Sequence, residues 1–113
     1  MDWIHVVSWF FGGAFLTNAV PHFVSGVMGR PFQTPFARPR GEGRSSSTVN
    51  VLWGGFNFAV AWLLLCRAGS DELFSTAYVV STGLGLLVMG LMLARWFGRF
   101  NGGNTPLEQG AGR

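Results

Sequence analysis

The sequence predicts an all-α membrane protein of three transmembrane helices, with a Pro/Arg-rich loop between the first and the second. Three observations predict it. Only 12% of the 113 residues are charged, against about 25% in ordinary soluble domains. The uncharged residues gather into three runs, each near the ~20 residues that cross a hydrocarbon core. The charged residues fall between and after those runs, where headgroups and water would meet them.

The first run, Trp3 to Gly29, holds no formally charged side chain in 27 residues. Its excess over ~20 residues places one end in the interface, with Trp3, His5 and Trp9 expected as an aromatic belt at its start. Pro21 removes one backbone donor and crowds the carbonyl four residues back, so a kink is expected near the far end. Met1 and Asp2 precede the run without the basic stretch of a cleavable signal, and the segment is expected to be retained as a helix over about residues 3–28.

Residues 29–46 change character: Pro31, Pro35 and Pro39 recur every four positions among Phe32, Phe36 and four arginines. Helix cannot persist there. The expectation is a surface loop, the two Phe rings dipping into the interface while Arg30, Arg38, Arg40 and Arg44 contact anionic lipid or a partner. Ser45, Ser46, Ser47 and Thr48 offer N-cap oxygens to a second helix over about residues 47–66. A polar turn, residues 67–72, then supplies Ser70 or Asp71 as the expected cap of a third helix over about residues 72–97. So short a connection predicts that the second and third helices are antiparallel neighbours. The three spans make one domain, residues 1–100, followed by a flexible cytoplasmic tail, residues 101–113, rich in Gly and polar residues.

Arginine counting sets orientation. The first loop holds four arginines and the C-terminal end holds Arg95, Arg99 and Arg113, against Arg67 alone on the opposite side. The positive-inside rule places the loop and C-terminus in the cytoplasm and the N-terminus outside, in agreement with an odd number of crossings.

Polar and small residues inside the spans mark the faces turned to protein rather than lipid. Asn18 and His22 share a face of the first helix; Asn50, Gly54, Asn57 and Ala61 share one on the second; Ala77, Ser81 and Gly85 line the third. Counting from the loop side, Asn57 lies at roughly 12 Å and Asn18 at roughly 10 Å depth at 1.5 Å per residue. An Asn18–Asn57 hydrogen bond is therefore predicted, with Gly85 or Leu86 of the third helix at the same level and His22 level with Asn50 and Trp53.

These residues exclude more chemistry than they suggest. Asp2, Glu42, Asp71, Glu72 and Glu108 all lie in turns or tails, and no Ser-His-Asp or Cys-His pattern is present, so no catalytic residues are assigned and no enzyme is expected. One cysteine, Cys66, and two histidines do not make a metal site. His5 and His22 stand 17 residues apart on one helix, about 25 Å, too far to share a haem iron, and no cofactor is expected. Gly41-Glu42-Gly43-Arg44-Ser45 lacks the Gly-Lys-Ser/Thr core of a nucleotide loop. The basic residues flank apolar runs, which argues for membrane topology rather than nucleic acid.

The functional expectation is a small non-enzymatic membrane protein that serves as an assembly or accessory subunit through a small and polar helix face. Anionic membrane lipids, and a second copy or a larger membrane complex, are the expected partners. The alternative is a homo-oligomeric channel or transporter whose pathway is lined by Asn18, His22, Asn50 and Asn57.

Overall fold

The computed structural model describes residues 2–67 and 72–103. Three helices carry the chain: α1 (Trp3–Val27), α2 (Ser47–Leu65) and α3 (Thr76–Asn101). At 1.5 Å per residue they are about 37, 28 and 39 Å long, and each is long and apolar enough to cross a membrane. Each begins on an oxygen cap: Asp2 accepts from the Ile4 amide at 2.9 Å, Ser46 from Val49 at 3.2 Å, and Ser75 from Tyr78 at 3.3 Å. These side chains satisfy amide donors that the first helical turn leaves without a carbonyl.

The third helix therefore starts at Thr76 rather than near residue 72 and continues to Asn101 rather than stopping near 97. The Ser75 hydroxyl sets its start, and Ser70 and Asp71 lie outside the described residues. Most of the expected tail, residues 104–113, lies outside them too. At the far end, Gly102 adopts a left-handed conformation with φ 76° and its amide returns to the Gly98 carbonyl, an arrangement that glycine permits without a Cβ penalty.

Between α1 and α2 the chain is not a plain surface loop. Phe32–Gln33 (β1) and Arg44–Ser45 (β2) pair antiparallel, Phe32 opposite Ser45 and Gln33 opposite Arg44. Thr34 extends the pairing, donating to Gly43 and accepting from Gly41. The hairpin gives the backbone partners that the prolines deny to a helix. Its consequence corrects the expected placement of the aromatic residues: Phe32 turns inward onto Phe97 (ring centroids 4.7 Å), Gln33 and Thr34 are buried, and Phe36 alone of the two Phe rings is well exposed.

The helix arrangement also differs from the expected succession. α1 is the central element, packed along α2 on one side and along α3 on the other, and α2 and α3 do not form a packed pair. The reason is the distribution of glycine. A Cβ on Gly54 of α2 would stand 2.6 Å from the Phe23 amide nitrogen, and one on Gly26 would stand 2.7 Å from the Ser47 carbonyl, so α1 and α2 approach closely in an antiparallel sense. On the other flank a Cβ on Gly85 would collide with the Phe10 carbonyl, and one on Gly13 with the Thr82 carbonyl. Gly-bearing faces thus draw both neighbours onto α1, whatever the length of the turn between α2 and α3.

The buried centre follows α1: Trp9, Ala14, Ala19 and His22, with Ala61 from α2 and Tyr78 from α3. Trp9, expected in the interfacial belt, is 1% exposed and meets Tyr78 edge-on at 5.2 Å. Trp3 is the residue that projects outward, 79% exposed.

Candidate functional site: a polar cavity beneath the hairpin

Two amide pairs organise the hairpin side of the bundle. Asn18 Nδ2 donates to Asn57 Oδ1 at 2.9 Å, and Asn57 Nδ2 donates to the Trp53 carbonyl at 2.8 Å. One turn further along α1, His22 Nδ1 and Asn50 Oδ1 are 2.9 Å apart. Asn50 Nδ2 lies 3.2, 3.1 and 3.0 Å from the carbonyls of Phe32, Ser45 and Ser46. One amide thereby joins α1, α2 and both strands. Asn50, Asn57 and His22 are essentially inaccessible, at 0, 0 and 2% exposure, and burial without partners would be costly for each.

Carbonyl oxygens only accept, so the three that surround Asn50 Nδ2 fix the orientation of that amide. Its Oδ1 must then face His22, and His22 Nδ1 must donate. In the uncharged imidazole this leaves Nε2 as the lone-pair nitrogen. Edge-on aromatic contacts hold the ring: Phe32 at 5.6 Å, Phe97 at 5.7 Å and Trp53 at 6.3 Å between centroids.

A cavity of about 200 Å³ opens between these groups and the hairpin, walled chiefly by Asn18, His22, Gln33, Thr34, Trp53 and Trp96. Trp96 Nε1 donates to the Gly41 carbonyl at 2.8 Å, which ties α3 to the hairpin. Asn101 Nδ2 donates to Gln33 Oε1 at 3.3 Å from the end of the same helix. Beside the cavity, α1 and α3 separate into an apolar groove of about 750 Å³ lined by residues such as Leu16, Val20, Leu86, Leu93 and Phe97.

The polar cluster named from sequence is thus brought together as two hydrogen-bonded pairs. Of the small residues, Gly54 and Ala61 are buried on α2, Ser81 and Gly85 are buried on α3, and Ala77 is half-buried. Of the two α3 residues expected at the Asn18–Asn57 level, Gly85 faces Phe10, whereas the Leu86 carbonyl accepts from Thr17, the residue before Asn18. Arg30, Arg38, Arg40 and Arg44 all lie exposed around the hairpin.

Sequence reasoning missed Gln33, Thr34, Trp96 and Phe97, which reach the site only because the hairpin folds back onto the end of α3. It also missed the hydroxyl contacts along α1: Ser81 Oγ donates to the Val6 carbonyl at 2.6 Å, Ser8 Oγ to Leu64 at 2.8 Å and Thr17 Oγ1 to Leu86 at 2.9 Å. At the opposite end His5 Nδ1 stands 3.1 Å from Glu72 Oε1, linking the start of α1 to the approach to α3. Among the described residues no group of three or more His, Cys, Asp or Glu side chains is placed to hold a metal ion, and Cys66 is exposed. The cavity itself offers hydrogen bonds and aromatic faces rather than a charged acid and base.

No protein-family model matches the chain, and neither a curated protein nor a solved structure resembles it.

Proposed function

We propose that the protein is a multi-pass membrane protein that acts as a non-enzymatic assembly or accessory subunit, and that its outward helix faces dock onto another membrane chain. The carrying observation is the open space at Gly55 and Gly83, where an added Cβ would meet nothing within 4 Å. Glycine in a helix interior costs about 1 kcal/mol relative to alanine. Gly54 and Gly85 offset that cost through close packing inside the bundle. At Gly55 and Gly83 the equivalent return comes from a helix outside the chain.

The polar cluster serves this reading as internal glue, because Asn18 engages Asn57 and His22 engages Asn50 within one copy. The exposed Arg30, Arg38, Arg40 and Arg44 suit anionic headgroups or an acidic partner on the hairpin side. The excess of arginine there supports a cytoplasmic hairpin and C-terminus with the N-terminus outside.

Native mass spectrometry of the tagged protein released from its own membrane tests the reading. A specific companion, or a defined number of copies, is expected, and Gly55→Leu or Gly83→Leu should release it while the monomer stays folded. A monomer carrying only lipid would overturn the assembly role, and a chain dissolved in water without detergent would overturn the membrane assignment.

The second reading, a homo-oligomeric channel or transporter lined by Asn18, His22, Asn50 and Asn57, is favoured by the polar cavity at Asn18 and His22, which wall it, while Asn50 and Asn57 are buried behind them. Solute flux into liposomes that responds to His22 substitution would support it over the subunit role.

A further inference from the structure

We propose that the cavity beneath the hairpin is a binding site for an uncharged, hydroxyl-bearing group of glycerol to monosaccharide size, either a free polyol or the headgroup of a neutral glycerolipid. This inference is independent of what docks on the outer faces.

The argument starts from what the walls leave unused. Asn18 spends its amide nitrogen on Asn57, and no described donor reaches its Oδ1. His22 spends Nδ1 on Asn50, which leaves the Nε2 lone pair of the uncharged ring. Gln33 spends Oε1 on Asn101 and retains its two amide hydrogens. Trp53 contributes its ring to the wall, its indole N–H being buried without a protein acceptor. All four side chains wall the same cavity. Its residues therefore offer two acceptors, Asn18 Oδ1 and His22 Nε2, and the two donor hydrogens of the Gln33 amide.

Hydroxyl groups both donate and accept, so adjacent hydroxyls on a short carbon chain answer such a mixed set. No Arg, Asp or Glu side chain lines the cavity, and an ion taken there would lose hydration without a counter-charge. This selects an uncharged ligand. The rings of Trp53, Trp96 and Phe97 supply apolar walls for carbon–hydrogen groups, in the usual division of a small-molecule site into apolar surface and a few placed polar atoms. A cavity of about 200 Å³ has room for about seven waters at ~30 Å³ each, which a molecule of this size displaces. A lipid source suits the site as well, because the polar cavity adjoins the apolar α1/α3 groove at Phe97, and an acyl chain would lie in that groove.

The test uses the full chain in lipid nanodiscs with ¹⁵N-labelled tryptophan, whose five residues give five indole signals. Loss of a signal in Trp53→Phe assigns the reporter. Glycerol and a monoacylglycerol are titrated separately, with acetate and ammonium as charged controls. The Trp53 signal is expected to move saturably with at least one uncharged probe while that of Trp3, exposed at the far end, stays fixed. Response to glycerol identifies a free polyol, and response only to the monoacylglycerol identifies a lipid headgroup. His22→Phe and Gln33→Met, which preserve side-chain bulk, should each weaken the response about tenfold, the effect of one lost hydrogen bond at a buried site. Should His22→Phe fail to fold, Gln33→Met decides alone. The proposal is overturned if neither probe gives a saturable shift, if all five signals move together, if the charged controls act equally, or if the folded variants bind as the parent does.

Discussion

The two seams of α1 are held by different chemistry. Against α2, its hairpin-side half uses side chains that name their partners, Asn18 to Asn57 and His22 to Asn50, backed by close approach at Gly26 and Gly54, with a single hydroxyl bond, Ser8 to Leu64, toward the other end. Against α3, it uses glycine and hydroxyls that bind backbone carbonyls, at Ser81 to Val6 and Thr17 to Leu86. The amide seam stays closed along its hairpin-side half. The glycine seam is tight at Gly13 and Gly85, relaxes where a Cβ on Gly90 would sit 3.6 Å from Thr17, and then opens into the apolar groove. Contact through backbone alone lasts only while no side chain intervenes. Paired amides add named partners to such a close contact, which glycine alone does not specify.

The largest test of this contrast is Gly85→Leu. Its Cβ would collide with the Phe10 carbonyl, and overpacking should destabilise the α1/α3 pair by about 3 kcal/mol. A disulfide between cysteines placed at Val6 and Ser81 should then form far more slowly, whereas Gly83→Leu, facing open space, should leave its rate unchanged. Equal effects would mean that α3 does not pack through Gly85.

Next in size comes Asn50→Leu, which removes the His22 contact and three carbonyl contacts together. A loss of about 2 kcal/mol is expected from the polar groups left unpaired. Hydrogen exchange should accelerate across residues 32–45 and leave the Gly13–Gly85 region protected. Acceleration spread evenly over all three helices would deny the separation between the seams.

A double-mutant cycle of Asn18→Ala and Asn57→Ala in bicelles should give a coupling of about 1 kcal/mol, typical of interhelical hydrogen bonds in lipid. Coupling near zero would reduce the amide seam to shape alone. The smallest effect is expected for Trp96→Phe, which loses the bond to Gly41 in an exposed setting and should cost about 0.5 kcal/mol. Its readout is local, faster exchange at Gly41 and Gly43 without a change in helix content.

The amide seam was far more legible than the glycine seam. Asn18 and Asn57 are isolated polar groups in apolar runs, and their depth follows from counting residues from one end, so their meeting is arithmetic. The same counting left α3 open between Gly85 and Leu86, and the structure sets Gly85 against Phe10 and the Leu86 carbonyl against Thr17, because a small residue fits many partners and nothing in its identity fixes how far α3 slides. Trp9 was misread for a related reason: an aromatic residue near a helix end suits either an interface or a core, and only its contact with Tyr78 distinguishes them. The cavity was not legible. Gln33 and Thr34 look like ordinary loop residues until the hairpin buries them, and Trp96 and Phe97 count only once the hairpin folds onto them.

By itself the sequence determined that three apolar segments form helices long enough to cross a membrane, and which faces carry the polar groups. Composition and spacing act locally, and an uncharged run of this length has few other ways to satisfy its backbone. Only the tertiary structure decided that α1 lies between its neighbours, that the Pro/Arg segment folds inward as a hairpin, and that unused donors and acceptors converge on one cavity. Those outcomes depend on how far glycine allows backbones to approach, and on which of several satisfactory partners each amide meets.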